Sequence, residues 1–172
     1  MSRPPARTAD VLSSARYDSP VGLLEVRGGP AGLRGLDWRR PGPEPSLQPD
    51  ETIQLVLAQL GEYFAGQRQS FDVPLDLPRL GPVPRAVLEA LQTIPYGATI
   101  TYGELAARSG TGLPARAIGS IMGANPVPLV IPCHRVVAGD GLGGYSGGEP
   151  GQGIATKRWL LELEGALPPT LL

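Results

Sequence analysis

The first part of the chain alternates short apolar stretches with turn residues. Alternation over residues 14–18, 21–27 and 31–38 is typical of half-buried β-strands, and Ser19-Pro20 and Gly28-Gly29-Pro30 are turn signals between them. Strands joined by such tight turns pair in antiparallel fashion. We therefore predict a small antiparallel sheet of two or three strands.

A helical period replaces this alternation after a proline-rich linker at residues 39–50, whereas residues 1–13 predict a loose arm. Asp50 is a suitable N-cap and Gly66 a suitable stop, and the helix between them has apolar residues three and four positions apart: Ile53, Leu57, Leu60 and Phe64. Residues 70–78 predict one further strand, and Pro74, which has no N–H, favours an edge position.

The second half of the chain is predicted to be mainly helical. Pro84 suits the first turn of a helix with the apolar stripe Val87, Leu88 and Leu91. Thr101 and Glu104 have the spacing of a capping box, which predicts a helix that ends at Gly110, and a second short helix follows in PARAIGSIMGAN. Two short helices joined by a small turn are typical of a helix-turn-helix. The closing helix, ATKRWLLELEG, ends at Gly165.

Composition and charge narrow the class of protein. The chain has 172 residues, 41% of them hydrophobic, and no apolar run that could cross a bilayer or serve as a signal peptide, so we expect a cytoplasmic protein. The formal charge is −1, and 14 of the 15 basic residues are arginine. This balance gives no sign of a strongly basic nucleic-acid surface. A single cysteine excludes an internal disulfide and a cysteine-rich zinc site.

That single cysteine, Cys133, lies directly before the single histidine, His134, in PVPLVIPCHRVV. A lone cysteine is commonly a small buried hydrophobe, but a cysteine with a nearby base can also act as a nucleophile. The apolar residues 126–131 predict a strand that would hold the cysteine at the end of a pocket. From these residues alone, packing and chemistry both stay open.

A wider set of motifs decides between them. NPVPLVIPCHRVV, preceded by ARAIGSIMGANP and followed by GGYSGG and KRWLLELEG, resembles the O6-alkylguanine-DNA alkyltransferases, which remove alkyl groups from guanine. The resemblance covers roughly residues 84–165 and is weak over residues 1–80, where only the hairpin pattern fits. It implies an α+β fold with an N-terminal α/β domain at 1–80, carrying a small antiparallel sheet, and a helical C-terminal domain at 83–172 with a winged-helix-like helix-turn-helix.

The resemblance implies that Cys133 accepts the alkyl group irreversibly, so that each molecule acts once. His134 then corresponds to the base, which reaches the thiol through a water molecule. Glu164 corresponds to the acid that orients the histidine, with Glu162 as the nearby rival. No cofactor and no metal are implied, and the expected partner of this monomer is double-stranded DNA that contains alkylated guanine.

The same resemblance implies how the damaged base is reached. A guanine inside a duplex must be flipped out of the stack, and Arg116 corresponds to the family's finger that fills the gap. The second helix is expected in the minor groove, with its small side chains and a neighbouring arginine as DNA contacts: Ala115, Ala117, Gly119, Ser120 and Arg135. Four residues are implied around the flipped base: Tyr102, Asn125, Tyr145 and Ser146.

The chain departs from the family pattern at one insertion, and two other functions are compatible with its motifs. After YSGG the chain inserts EPGQG before the closing helix, which predicts a longer surface loop near the site. A lesion-binding protein of the alkyltransferase-like type would share these motifs, although such proteins replace the nucleophile, usually with tryptophan. A Cys-His hydrolase or redox enzyme is the other alternative, since the Cys-His-Glu set alone would permit it.

Overall fold

The computed structural model describes residues 12–38 and 48–171. The predicted arm at 1–13 and linker at 39–50 therefore lie mostly outside the described residues. Three strands come first: β1 (Ser13–Ser19), β2 (Gly22–Gly29) and β3 (Gly32–Trp38). They form an antiparallel sheet in the order β1-β2-β3, with Ser19 opposite Gly22 and Gly29 opposite Gly32 at the two tight turns. The predicted sheet is confirmed.

Helix α1 (Glu51–Phe64) covers one face of this sheet. The Asp50 side chain accepts a hydrogen bond from the Ile53 backbone N–H, which confirms the predicted N-cap. The buried face is centred differently from the predicted stripe, because Leu57 and Phe64 are only half-buried. The residues that are buried are Ile53, Val56, Gln59, Leu60 and Tyr63.

The strand predicted at residues 70–78 is wrong. A single bridge pairs Leu33 with Leu75, in which the Leu33 N–H donates to Pro74 O at 2.8 Å and the Asp76 N–H donates to Leu33 O at 2.9 Å. Pro74 has no N–H to extend the ladder. The segment therefore contacts the edge of β3 without forming a strand.

Four helices build the rest of the molecule: α2 (Pro82–Gln92), α3 (Tyr102–Ser109), α4 (Ala115–Gly123) and α5 (Gly153–Leu163). The capping box at Thr101 and Glu104 is present, and Gly110 ends α3 with a φ of 65°. Helices α3 and α4 pack together as the predicted helix-turn-helix. Beside them, the two-residue strands β4 (Ile100–Thr101) and β5 (Val136–Val137) pair in parallel.

The strand predicted at residues 126–131 is also wrong. Pro128 and Ile131 form only an isolated bridge, and the Ile131 N–H donates back to Val127 O at 2.9 Å, so the segment is a tight turn. Leu129 at its apex has a φ of 73°, the only positive φ of a described non-glycine residue. A left-handed leucine costs about 1–2 kcal/mol, and burial of this side chain, 1% exposed, helps to offset that cost.

Apolar side chains from both halves form one continuous buried cluster, which runs from Ala15 in β1 to Leu160 in α5. The mixed composition of a small antiparallel sheet and a helical second half confirms the predicted α+β class. Among the described residues, no helix is long and apolar enough to cross a membrane.

Candidate active site

Cys133 begins a single 3-10 turn (Cys133–Arg135) that follows the tight turn at 127–131. Its backbone N–H donates to Ile131 O at 2.9 Å, and the residue is 6% exposed. The thiol lies in a cavity of about 260 Å³ between the helix-turn-helix and the glycine-rich loop. The lining residues are Tyr102, Gly119, Met122, Gly123, Cys133, Gly144, Tyr145 and Ser146.

Asn125 holds the turn that presents the cysteine. Its side-chain amide donates to Ile131 O at 2.8 Å, and its side-chain oxygen accepts from the Val127 N–H at 3.1 Å. These two bonds stabilise a turn that contains the left-handed Leu129. Asn125 therefore links the end of α4 to the backbone that carries Cys133.

Burial raises the pKa of the Cys133 thiol, while a hydrogen bond from the Asn125 side chain and the charge of Lys157 oppose that rise. Desolvation disfavours the charged thiolate. In the resting protein the thiol is therefore protonated, and a base must remove its proton before the sulfur can attack.

His134 and Glu164 form a buried pair behind the cysteine. Nε2 of His134 lies 2.7 Å from Oε1 of Glu164, and both side chains are 0% exposed. Nδ1 of His134 is also buried and has no hydrogen-bond partner among the described residues. With the Nε2 proton donated to Glu164, Nδ1 carries the free lone pair.

Arg135 clamps the same carboxylate from the other side. Its Nε donates to Oε2 of Glu164 at 2.8 Å and its Nη2 to Oε1 at 2.9 Å, while Nη1 donates to Ile94 O at 2.7 Å. The residue is 7% exposed. The resemblance implied a DNA contact for Arg135, but the structure shows its guanidinium buried and bonded to the carboxylate of Glu164.

The hydrogen bonds from Arg135 affect the protonation of Glu164 and His134. Burial by itself would raise the pKa of Glu164, but hydrogen bonds from His134 and Arg135 and the electrostatic interactions with both residues lower it to about 2. Burial lowers the pKa of His134, although Glu164 pulls it upward. With both pKa values lowered, Glu164 is ionised at neutral pH and His134 is neutral. The rival acid Glu162 instead accepts a hydrogen bond from Thr170 at 2.5 Å.

The glycine-flanked loop forms the opposite wall of the cavity. Tyr102 at the start of α3 donates its hydroxyl hydrogen to Gly144 O at 3.3 Å. The Tyr145 ring packs edge-on against Trp38 of β3, with centroids 6.1 Å apart, and burial raises the pKa of its hydroxyl well above the ordinary value. Ser146 is exposed at the rim. The structure thus brings three predicted residues, Tyr102, Tyr145 and Ser146, to the cavity of Cys133.

Gly147 is required where this loop folds back on itself. A Cβ at this position would lie 2.5 Å from the Tyr145 ring, closer than any real contact allows. The absence of a side chain lets the tyrosine lie over the loop backbone. The sequence pattern GGYSGG therefore has a steric basis at this glycine.

Helix α4 presents the predicted DNA-binding residues beside the cavity. Ala115, Arg116 and Ser120 are exposed, while Ala117 and Gly119 are half-buried. Arg116 and Gly119 line an open trough of about 420 Å³ that continues past Tyr102. The trough has small side chains and one exposed arginine along its α4 side.

Lys157 is a site residue that sequence reasoning missed. It is 0% exposed, and its Nζ donates to Val136 O at 2.6 Å and to Gly144 O at 3.0 Å. The ammonium also lies 5.9 Å from the centroid of the Tyr102 ring. The available signal was its uniqueness, because it is the only lysine in a chain with 14 arginines.

Residues 149–152 of the insertion form an exposed surface turn, and Gly153 begins helix α5. The Gln152 N–H donates to Glu149 O at 2.8 Å, and Glu149 packs against Gly22 at the β1-β2 turn. No group of three or more histidine, cysteine, aspartate or glutamate residues at 12–38 and 48–171 could hold a metal ion.

Known proteins that are similar to this chain include DNA methyltransferases that act on 6-O-methylguanine. The family model described as the 6-O-methylguanine DNA methyltransferase DNA-binding domain matches residues 82–166, and the one described as the ribonuclease-like domain of the same protein matches residues 13–77. A methylated-DNA–protein-cysteine methyltransferase from Mycolicibacterium paratuberculosis is 42% identical over 160 residues, which are 90% of this chain and 93% of the relative.

Two further matches extend the comparison. The crystal structure of the Mycobacterium tuberculosis protein OGT in complex with DNA superposes with a TM-score of 0.76 at 41% identity, covering 89% of this chain and 92% of that one. A DNA base-flipping protein from Thermus thermophilus is 38% identical over 157 residues, 87% of this chain and 97% of the relative. With both family models matched in order, the chain belongs to the 6-O-methylguanine DNA methyltransferase family.

Proposed function

We propose that this protein repairs DNA by moving the alkyl group from O6 of a damaged guanine to Cys133. The observation that carries the proposal is a thiol at the wall of a cavity, backed by the buried His134–Glu164 pair and flanked by the exposed helix α4. The names of the relatives, methylated-DNA–protein-cysteine methyltransferases, support the same activity.

Proton removal prepares the nucleophile. The neutral His134 has its free lone pair at Nδ1, and a water molecule between Nδ1 and the thiol carries the proton across. Glu164 stabilises the imidazolium that forms, as the acid does in other nucleophile–base–acid sets. The thiolate then attacks the alkyl carbon, so that a carbon–sulfur bond forms while the carbon–oxygen bond to guanine breaks.

The leaving guanine needs a hydrogen-bond donor near its ring. Burial raises the pKa of Tyr102, although its hydrogen bond to Gly144 opposes that rise, so the hydroxyl is protonated at neutral pH. Tyr102 donates toward the purine, and Ser146 at the rim donates toward the oxygen that loses the alkyl group. The thioether on Cys133 is not hydrolysed, so the reaction is stoichiometric and has no turnover.

The flipped base reaches the cavity along α4. The trough beside this helix is bordered by small residues, which lets the helix approach the minor groove closely, and the exposed Arg116 fills the vacated stack. Backbone N–H contacts to phosphates account for binding by a chain with a formal charge of −1.

The proposal also covers the oligomeric state of the protein, its division into two units and its location in the cell. We propose that the chain acts as a monomer, with one unit over residues 1–80 and an alkyl-acceptor unit over residues 83–172, a division supported by the two family-model matches. We also propose that it acts in the cytoplasm, at the nucleoid, because its substrate is chromosomal DNA.

The test is incubation with duplex DNA that carries one O6-methylguanine, followed by mass analysis of the Cys133 peptide. One methyl increment per molecule and none in Cys133→Ser is the expected result. Stable lesion binding without transfer would instead favour a base-flipping protein of the kind named among the relatives. Repeated turnover on an ester, unchanged by Arg116→Ala, would favour a hydrolase.

A further inference from the structure

The N-terminal helix α1 reaches the buried carboxylate of Glu164 through Tyr63. The two residues are 101 positions apart, and the Tyr63 hydroxyl donates to Oε1 of Glu164 at 2.7 Å. Oε1 is also the oxygen that faces Nε2 of His134 at 2.7 Å. A side chain from the sheet-bearing half of the molecule therefore binds the oxygen that orients the histidine.

Aromatic rings from both halves of the chain surround the Tyr63 side chain. Tyr63 is 1% exposed, and its ring lies 5.3 Å from the Phe64 and Phe71 rings and 6.4 Å from that of Tyr96. Close packing on these sides restricts the rotation of the ring. The hydroxyl is thus a rigid donor aimed at Glu164.

We propose that Tyr63 is a positioning residue of the alkyl-transfer site: its hydroxyl holds Oε1 of Glu164 beside His134 and moderates the basicity of that carboxylate. The inference rests on the proposed function. Through Tyr63, the N-terminal half becomes a functional part of the site. None of the residues that line the cavity of Cys133 belongs to that half.

The hydrogen bond from Tyr63 to Oε1 of Glu164 is expected to affect the pKa of His134, which can be measured. Burial raises the pKa of Tyr63, and the neighbouring carboxylate raises it further, so the hydroxyl remains a donor. A carboxylate that loses one donor holds its charge less dispersed and stabilises an adjacent imidazolium more strongly. Removal of the hydroxyl therefore raises the pKa of His134.

Other charged groups around the pair stay the same in this comparison. The titratable side chains that interact with His134 or Glu164 from the surrounding elements are Tyr63, Tyr96, Arg135, Tyr145 and Lys157, and Cys133 precedes His134 in the chain. Of these, only Tyr63 changes in Tyr63→Phe, an isosteric substitution. The matched control is Tyr96→Phe, which removes a hydroxyl bonded to Leu163 O at 3.2 Å, next to Glu164 but not on its carboxylate.

The experiment uses the fact that the chain has one histidine. A tag-free chain labelled with 15N-histidine gives one imidazole spectrum, which is followed against pH. We expect Tyr63→Phe to raise the His134 pKa by about one unit, and Tyr96→Phe to leave it unchanged. At pH 7.5 the Nε2–H resonance moves downfield in Tyr63→Phe, which reports on the same bond without a titration.

The rate of alkyl transfer supplies a second readout. The acid limb of its pH profile is expected to move to higher pH in Tyr63→Phe, by the same amount as the His134 pKa, with the rates converging at alkaline pH. A lower melting temperature with an unchanged His134 resonance and an unchanged acid limb would overturn the proposal and leave a packing role only. Absence of transfer by the unsubstituted protein would instead refute the proposed function, while the imidazole spectrum still decides the role of Tyr63.

Discussion

Lys157 leads to the most specific stability prediction. It is the only lysine in the chain, it is 0% exposed, and it donates to two backbone carbonyls, those of Val136 and Gly144. No carboxylate among the described residues lies within ion-pair distance of it. Burial lowers its pKa from 10.5 to about 8, and the electrostatic interaction with Cys133 opposes the shift.

The magnitude follows from linkage. One pKa unit corresponds to about 1.36 kcal/mol, so the lowered pKa means that a protonated Lys157 costs the folded state about 3 kcal/mol at neutral pH. The unfolded chain keeps the proton up to about pH 10.5, whereas the folded chain releases it near pH 8. Because the unfolded state binds more protons in this window, the free energy of unfolding rises with pH there.

The perturbation is Lys157→Met, which keeps the length of the side chain and removes the charge. Urea unfolding is followed by the fluorescence of Trp38 and Trp159 at pH values from 7 to 10. The unsubstituted protein should gain about 2–3 kcal/mol relative to Lys157→Met across this range. Tyrosine ionisation above pH 10 affects both proteins equally and cancels in the difference.

Arg158→Met is the matched control, since Arg158 is the adjacent basic residue and is exposed. Its difference from the unsubstituted protein should not vary with pH. If the Lys157→Met difference is equally flat, the ammonium is hydrated or permanently charged in the folded protein, and the assignment of Lys157 as a buried cation beside the thiol is refuted.

Three further predictions concern the site and its surroundings. Glu164→Gln leaves Arg135 without its buried partner and should cost about 3–5 kcal/mol in urea unfolding at pH 7. The pKa of Glu164, lowered to about 2, also means that the unsubstituted protein loses stability as pH falls from about 4.5 to 2, a loss absent from Glu164→Gln. Arg116→Ala should weaken binding to lesion-bearing duplex DNA in a fluorescence-anisotropy titration, with no change in the rate at which iodoacetamide alkylates the thiol. Gly147→Ala should displace Tyr145, destabilise the fold by about 1–3 kcal/mol in thermal unfolding and slow repair, whereas an unchanged repair rate would show that the loop wall is dispensable.

Local signals predicted much of the fold. The N-cap at Asp50, the capping box at Thr101 and the left-handed stop at Gly110 each depend on neighbours within a few positions, so the sequence contains the whole interaction. The three strands of the antiparallel sheet were predicted to within two residues at each end for the same reason. The turn at 127–131 was not, because a run of apolar residues looks alike in a strand and in a buried turn, and the bonds of Asn125 that close it involve side-chain geometry.

Only those residues of the candidate site that lie in recognisable sequence motifs could be predicted. Cys133, His134 and Glu164 carry a specific pattern, and the structure brings the histidine and the carboxylate together as the resemblance implied. Tyr63 and Lys157 carry no such pattern, since their roles depend on contacts with distant parts of the chain. The ion pair of Arg135 was not predicted either, because a charged residue is usually exposed and only the fold reveals the buried carboxylate with which it pairs.

The most direct measurement is the fate of the methyl group itself. Equimolar protein and duplex DNA with a single O6-methylguanine, labelled in the methyl group, are mixed and then digested with protease. We predict that the label moves once, completely, to the peptide that contains Cys133, and that Cys133→Ser binds the same DNA without taking up label. Label that remains on the DNA, or that is released by repeated turnover, would contradict this prediction.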